Sequence, residues 1–190
     1  MNWFYHTFER AFVEKMKQAQ TEKDRLFSFH WLESEKRWCG RLGELSAEER
    51  LKQKIIPYTA WTRPDKRDLR DFTIGKAEID AKTYRTDYTP RKEYFVNVNV
   101  NQYEKFIKPG IVNTLLFIAF VEPLSTAIVL GWLTKKEFDE MKILKKKGDQ
   151  SNTIKIKEDV YCVTIGELRP LFDTKEQVES VLLEEELINA

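Results

Sequence analysis

Two carboxylates and an amine in one short stretch carry the strongest chemical signal in this chain. In Asp71-Phe72-Thr73-Ile74-Gly75-Lys76-Ala77-Glu78-Ile79-Asp80-Ala81-Lys82, apolar and polar residues alternate on both sides of Gly75-Lys76. That pattern predicts two strands joined by a two-residue, glycine-first loop. Closing the hairpin there sets Ile74 against Ala77, Thr73 against Glu78, Phe72 against Ile79 and Asp71 against Asp80, so apolar meets apolar and polar meets polar. Directly opposed residues hold their Cβ atoms about 4.5–5.5 Å apart. Two carboxylates at that spacing repel each other in a bare sheet, and they chelate a hard divalent cation that favours oxygen ligands. Lys82, two residues past Asp80 and on the same face, can orient a water, help deprotonate it, or steady a phosphate oxygen.

The acid-x-Lys triplet recurs as Glu140-Met141-Lys142 and Asp173-Thr174-Lys175. Those copies fall in helical or turn-like contexts with no opposed acid. The alternative for the hairpin itself is a solvated polar face on which lysines balance acids.

The elements that must position these residues are legible around them. Phe4, Phe8, Phe12 and Met16 recur every fourth residue and predict an amphipathic helix with an aromatic face. It suits either packing on the domain or a dimer or partner surface. A second helix is predicted over residues 35–54, apolar at Trp38, Leu42, Leu45 and Leu51. Gly40 and Gly43 inside it lower helix propensity, which implies some other reason for their presence. Residues 55–61 read as a short strand, and 92–101 as a half-buried one through Tyr94, Val96, Val98 and Val100. The apolar stretch 111–133 is long enough for a membrane span. Glu122-Pro123 at its middle and its β-branched halves predict two buried strands and a turn instead. Residues 134–144 predict a helix with Thr134 as cap and Glu137 completing a capping box. A polar loop over 145–152 leads to a predicted hairpin between 153–156 and 160–165, and an acidic helix over 174–187 follows. Helices flanking a mixed central sheet make the fold α/β, of α+β mixed character.

Composition limits the function classes. The chain has 190 residues, 42% hydrophobic and 33% charged, with 32 Lys+Arg against 31 Asp+Glu. A net charge of +1 supplies no global basic field, so any nucleic-acid binding needs a local patch. Cys39 and Cys162 are the only cysteines and His6 and His30 the only histidines, too few for a disulfide framework or a zinc site. Two lone thiols, and an apolar start that soon meets Glu9, Arg10, Glu14 and Lys15, lead to the expectation of a cytoplasmic protein without a membrane association. No Gly-rich phosphate loop is present. Arg63, Lys66, Arg67 and Arg70 precede the acidic pair, and Tyr84-Arg85 and Arg91-Lys92 follow it, which makes the local basic patch. Trp61 and Tyr84 suit base stacking or core packing. Lys145-Lys146-Lys147-Gly148 suits a phosphate-backbone contact or a solvated loop.

Asp71 followed by Asp80-Ala81-Lys82 across a hairpin resembles the PD-(D/E)XK nuclease superfamily, which includes restriction endonucleases, archaeal Holliday-junction resolvases and phage exonucleases. Arg70 stands where that motif often has proline. Gly40-Arg41-Leu42-Gly43-Glu44 is similar to the setting of the helix-borne acid these nucleases carry, and the order helix, strand, strand, strand matches. The resemblance spans roughly 35–165. It implies a restriction-endonuclease-like core over 35–168, preceded by an N-terminal helical extension (1–34) and followed by a C-terminal helical tail packed on the core (169–190). It further implies a Mg²⁺-dependent deoxyribonuclease, with Mn²⁺ as substitute. Asp71, Asp80 and the backbone carbonyl of Ala81 would hold the metal, Glu44 a second metal or a bound water, and Lys82 the attacking water. Arg67, Arg70, Tyr84, Arg85, Lys92 and Gln102 are the expected DNA contacts, and a homodimer would let one assembly cut both strands. The alternative is a module of the same fold that binds DNA or protein without cleavage.

Overall fold

A computed structural model describes residues 3–26, 34–61, 70–152 and 154–188, without the side chains of 20–26, 34–37, 106, 154 and 188. The hairpin that carries the acids is built as its pattern dictates. Strands β3 (Phe72–Ile74) and β4 (Ala77–Thr86) pair antiparallel with Phe72 against Ile79, Thr73 against Glu78 and Ile74 against Ala77. Gly75 takes φ 56°, the left-handed value that a glycine-first tight turn requires, and Lys76 does not.

The apolar stretch forms β6 (Thr114–Val121) and β7 (Thr126–Thr134), joined by a 3₁₀ turn over Glu122–Leu124, with every residue of both strands buried. Among the described residues no helix is long and apolar enough to cross a membrane. β4 runs parallel to β6 and β6 antiparallel to β7. With β1 (Phe4–Thr7) and β2 (Thr59–Ala60) they make a six-stranded mixed sheet in the order β1-β7-β6-β4-β3-β2. Burial on both faces explains why β6 and β7 read as continuous apolar runs rather than alternating ones.

One face is covered by α2 (Ser34–Gln53) and α5 (Lys175–Ile188). Trp38, Leu42 and Leu51, with Val178 and Leu182, pack there on Phe72, Ile74, Leu116 and Phe120. α1 (Arg10–Leu26) lies against α2 and contributes Val13 to this core. The other face is covered by a three-stranded antiparallel sheet, β5 (Phe95–Asn99), β11 (Val160–Thr164) and β8 (Ile143–Lys145), in the order β5-β11-β8. Two more elements lie on that side. A short helix, α3 (Val100–Gln102), continues into a π-helical turn over Tyr103–Ile107, and α4 is Lys135–Met141. Val96, Val98, Tyr103, Phe138 and Val163 meet Leu115, Phe117 and Ala119 in this second core. A two-stranded ribbon, β9 (Gln150–Ser151) with β10 (Ile154–Lys155), projects from the smaller sheet's connection. The architecture is mixed α/β, as expected.

Four local expectations are corrected. Phe4 begins a strand and not a helix, because Phe4–Thr7 pairs with Thr126–Val129. The helix starts at Arg10, so the N-terminal segment is a strand of the main sheet followed by a helix, rather than a helical extension. The helix after Thr134 ends at Met141, and Ile143–Lys145 pairs with β11. Segments 153–156 and 160–165 do not pair with each other: β10 pairs with β9, and β11 lies between β5 and β8. The C-terminal helix contributes Val178 and Leu182 to the first core.

Candidate functional site

The β3–β4 ladder ends at Phe72–Ile79, while β4 continues to Thr86. Asp71 sits at the point where the two strands part, one residue outside the paired register rather than squarely opposite Asp80. Its N–H donates to the Ile79 carbonyl at 2.8 Å and its carbonyl accepts from Trp61 N–H at 2.9 Å. Its Oδ2 accepts from Ala81 N–H at 2.7 Å, taking the place of a backbone partner. In a β-strand a residue's N–H and C=O point to the same edge. The Ala81 carbonyl therefore faces the edge that Asp71 occupies.

Alternation along β4 sends Ile79 and Ala81 towards the α2 core and Asp80, Lys82 and Tyr84 towards the other face, where Tyr84 joins the second core. Asp80 Oδ2 and Lys82 Nζ are 2.5 Å apart, with side chains 14% and 9% exposed. A lysine this buried is rare unless paired, and here one carboxylate pairs it. Glu44 comes from α2, which is seated on β4 through Gly43. A Cβ at Gly43 would lie 1.9 Å from Thr83 Oγ1 and 3.0 Å from Thr83 Cβ. The absent side chain thus lets the helix lie close enough for Glu44 to approach the sheet edge. Gly40 has nothing within 4 Å of such a Cβ, and no packing reason for it is evident. Arg41, one turn before Glu44, donates to Glu44 Oε2 at 2.7 Å and lies 3.6 Å from Glu48.

Asp71 is the electrostatic focus of the cluster. Burial pushes its carboxyl well above the usual carboxylate range, and the carboxylates of Asp80 and Glu44 push it further. The Lys82 ammonium and the Ala81 N–H oppose this without cancelling it. Asp71, at the end of β3, is thus within electrostatic reach of Glu44 on α2 and of Asp80 and Lys82 in the middle of β4. Among the described residues no three His, Cys, Asp or Glu side chains converge as a ready-made metal cage. Asp80 faces Lys82, Glu44 faces Arg41 and Asp71 faces Ala81 N–H.

The expected DNA contacts are not gathered in the same way. Arg70 lies 2.9 Å from Glu78 and its guanidinium stacks 4.3 Å from the Trp61 ring, while Trp61 Nε1 donates to Thr73. Tyr84 is held in the second core, where burial raises its phenol well above the ordinary value. Arg85 is exposed and pairs with Glu122 at 3.4 Å. Lys92 is exposed, and Gln102 lies in α3 with its N–H capped by Asn99. Arg63, Lys66, Arg67 and His30 lie outside the described residues. Sequence reasoning missed Arg41, although its i,i+3 spacing to Glu44 on a helix was the available signal. It also missed that Glu78 would claim Arg70. A cleft of about 580 Å³ lies elsewhere, bounded by Trp3, Phe4, Arg50, Lys54 and Asp173 among others, and none of the four clustered residues lines it.

No protein-family model, curated protein or solved structure matches this chain.

Proposed function

We propose that the protein is a Mg²⁺-dependent phosphodiester hydrolase acting on DNA, built on a restriction-endonuclease-like core. The observation that carries this reading is the buried Asp80–Lys82 pair beside a carboxyl, Asp71, crowded by two further acids. Such an arrangement is costly unless a cation or a reaction uses it. The donor set fits Mg²⁺, which is commonly held by one or two carboxylates together with water and substrate phosphate rather than by an all-protein cage. Asp71, Asp80 and the Ala81 carbonyl would be its protein ligands, with Glu44 as the outer acid. When bound, the ion would neutralise charge on the phosphoryl oxygens and lower the pKa of a coordinated water.

The protein's own groups have separate tasks. Asp71 and Asp80 fix a charge focus at the open edge of β4, and a cation there would draw Asp71 to its ionised form. Lys82 orients the attacking water and offsets charge on the phosphate. Arg41 holds the Glu44 carboxylate towards the edge. In the order α2, β2, β3, β4, β5, α3, β6, β5 belongs to the smaller sheet. The remaining succession, with β6 parallel to β4, supports this core, as does the hairpin placement of Asp71 and Asp80-Ala81-Lys82.

Incubating the protein with labelled duplex, single-stranded and branched DNA, with Mg²⁺ and then with EDTA, tests the reading. Cleavage is expected with Mg²⁺, none with EDTA, and none for Asp80→Ala or Lys82→Ala. Cleavage that persists in both variants would refute the mechanism. A second reading, a non-cutting module of the same fold, draws on the Glu78 and Glu122 pairings that occupy Arg70 and Arg85. Wild-type hydrolysis lost in the site variants excludes it.

A further inference from the structure

Charge is unevenly distributed along a chain whose total is only +1. Between residues 142 and 157 there are six lysines and one acid, Asp149, a local net charge of +5. Helix α5 (Lys175–Ile188), by contrast, carries one lysine and five glutamates. The lysine-rich segment is β8, the ribbon β9–β10 and their connections.

The backbone of this lobe is tied down. Asp149 N–H donates to the Lys146 carbonyl at 3.0 Å, Gly148 N–H to Ile156 at 2.8 Å, and Ile156 N–H to Asp149 at 2.9 Å. The acids beside the tip have other partners: Asp149 accepts from Lys146 N–H and Asp159 from Lys147 N–H, each at 2.8 Å, and Glu158 accepts from Asn99 Nδ2. Ile156 and Ser151 are buried between the turns. Lys146, Lys147, Lys155 and Lys157 are left exposed, and none has an acidic partner among the described residues. Lys145 lies over the Phe95 ring, 3.7 Å from its centroid, and donates to the Gln150 carbonyl. Around the candidate site, by contrast, Arg41, Arg70 and Arg85 are each paired with glutamate.

We infer that this lobe is a nucleic-acid docking surface, on which Lys146, Lys147, Lys155 and Lys157 contact the phosphate backbone without reading sequence. The choice of nucleic acid as the polyanion rests on the phosphodiesterase reading above. A hydrogen-bonded backbone displaying ammonium groups with no acidic partner among the described residues needs little reorganisation on binding. Each phosphate neutralised releases condensed counterions, so affinity falls steeply with salt. The lobe supplies the local basic patch that a near-neutral protein needs, whereas among the described residues the arginines around Asp71 and Asp80 are paired with glutamate.

The test is fluorescence anisotropy of a short labelled DNA duplex titrated with full-length protein in EDTA, across a salt series. The variants are Lys146→Glu/Lys147→Glu, Lys155→Glu/Lys157→Glu, the four together, and all four as arginine. Circular dichroism establishes that each variant is folded. The combined reversal is expected to weaken duplex binding by roughly 100-fold at low salt, and each lost contact to reduce the slope of log K against log salt by about 0.9. The arginine variant should bind as wild type does. Duplex affinity unchanged by the combined reversal would overturn the inference. So would lysine-dependent binding to phosphatidylserine vesicles with none to DNA. Failure of the catalytic reading looks different: lysine-dependent DNA binding by a protein that hydrolyses no substrate supports this inference and removes that one.

Discussion

At the edge of β4, Lys82 is 9% exposed and held 2.5 Å from Asp80, whereas on the β8–β10 lobe four lysines stand in solvent with no acid among the described residues to hold them. Both regions are rich in charge, yet the physical situations are opposite. Taking charges out of water costs several kcal/mol each before pairing returns any of it, so the Asp71–Asp80–Lys82 cluster persists only because the surrounding packing enforces it. Gly43 against Thr83 and the end of the β3 ladder are the parts that do so. Exposed lysines cost the fold almost nothing and contribute almost nothing to it. Substitution should therefore separate the two regions: stability and chemistry respond at the edge, and long-range attraction alone responds at the lobe.

The largest effect on stability is expected at Lys82. Lys82→Gln strands the Asp80 carboxylate and should cost about 3 kcal/mol in urea denaturation, since removing one member of a buried pair leaves an uncompensated charge. Added Mg²⁺ should restore part of that loss by supplying positive charge. A loss within about 0.5 kcal/mol would mean that the pair is effectively solvated and would erase the contrast.

Next comes the seat of α2. Gly43→Ala gains up to about 1 kcal/mol of helix propensity, but it drives a methyl into Thr83, and overpacking typically costs about 1–3 kcal/mol. A net loss of stability is expected, with a larger loss of the proposed DNA hydrolysis because Glu44 moves with the helix. Gly40→Ala, with open space around it, should stabilise by about 0.5–1 kcal/mol. Thermal melts of the two variants side by side check both signs.

A pH series sharpens the comparison at Asp71. Its folded-state pKa is raised, chiefly by burial and then by Asp80 and Glu44. The folded state therefore holds the proton more tightly than the unfolded chain. That contribution is fully present below the unfolded carboxylate value of about 3.9 and is lost as pH rises through the raised folded value. Asp71→Asn should consequently be more stable than wild type at neutral pH in EDTA, with the difference vanishing at acid pH. An equal difference at all pH values would show that Asp71 titrates normally. The smallest effect belongs to the lobe: Lys146→Ala and Lys155→Ala should each change unfolding free energy by less than about 0.5 kcal/mol.

How far these regions were legible in the sequence follows from the range of the interactions that build them. The hairpin register was readable because a tight turn and alternation fix it locally, and the Thr134–Glu137 capping box formed as read. Phe4 and Phe8 misled because a spacing of four satisfies helical and strand periodicity alike. The pairing with β7 that decided the matter lies more than a hundred residues away. Pairing of β11 with β5 and β8 is likewise non-local. In the candidate site, Asp71, Asp80 and Lys82 were visible as residue types. What could not be read was that Asp71 leaves the ladder and substitutes its carboxylate for a backbone partner of Ala81. The lysine run was visible too, but whether its charges were paired depended on where Asp149 and Asp159 pointed.

Mn²⁺ titration by isothermal calorimetry, with and without a duplex that supplies phosphate oxygens, tests the central claim most directly when wild type is run beside Asp71→Asn and Asp80→Asn. The account predicts saturable Mn²⁺ binding by wild type that Mg²⁺ displaces and that both substitutions abolish. Absence of binding even with DNA present, or binding that neither substitution weakens, would contradict it.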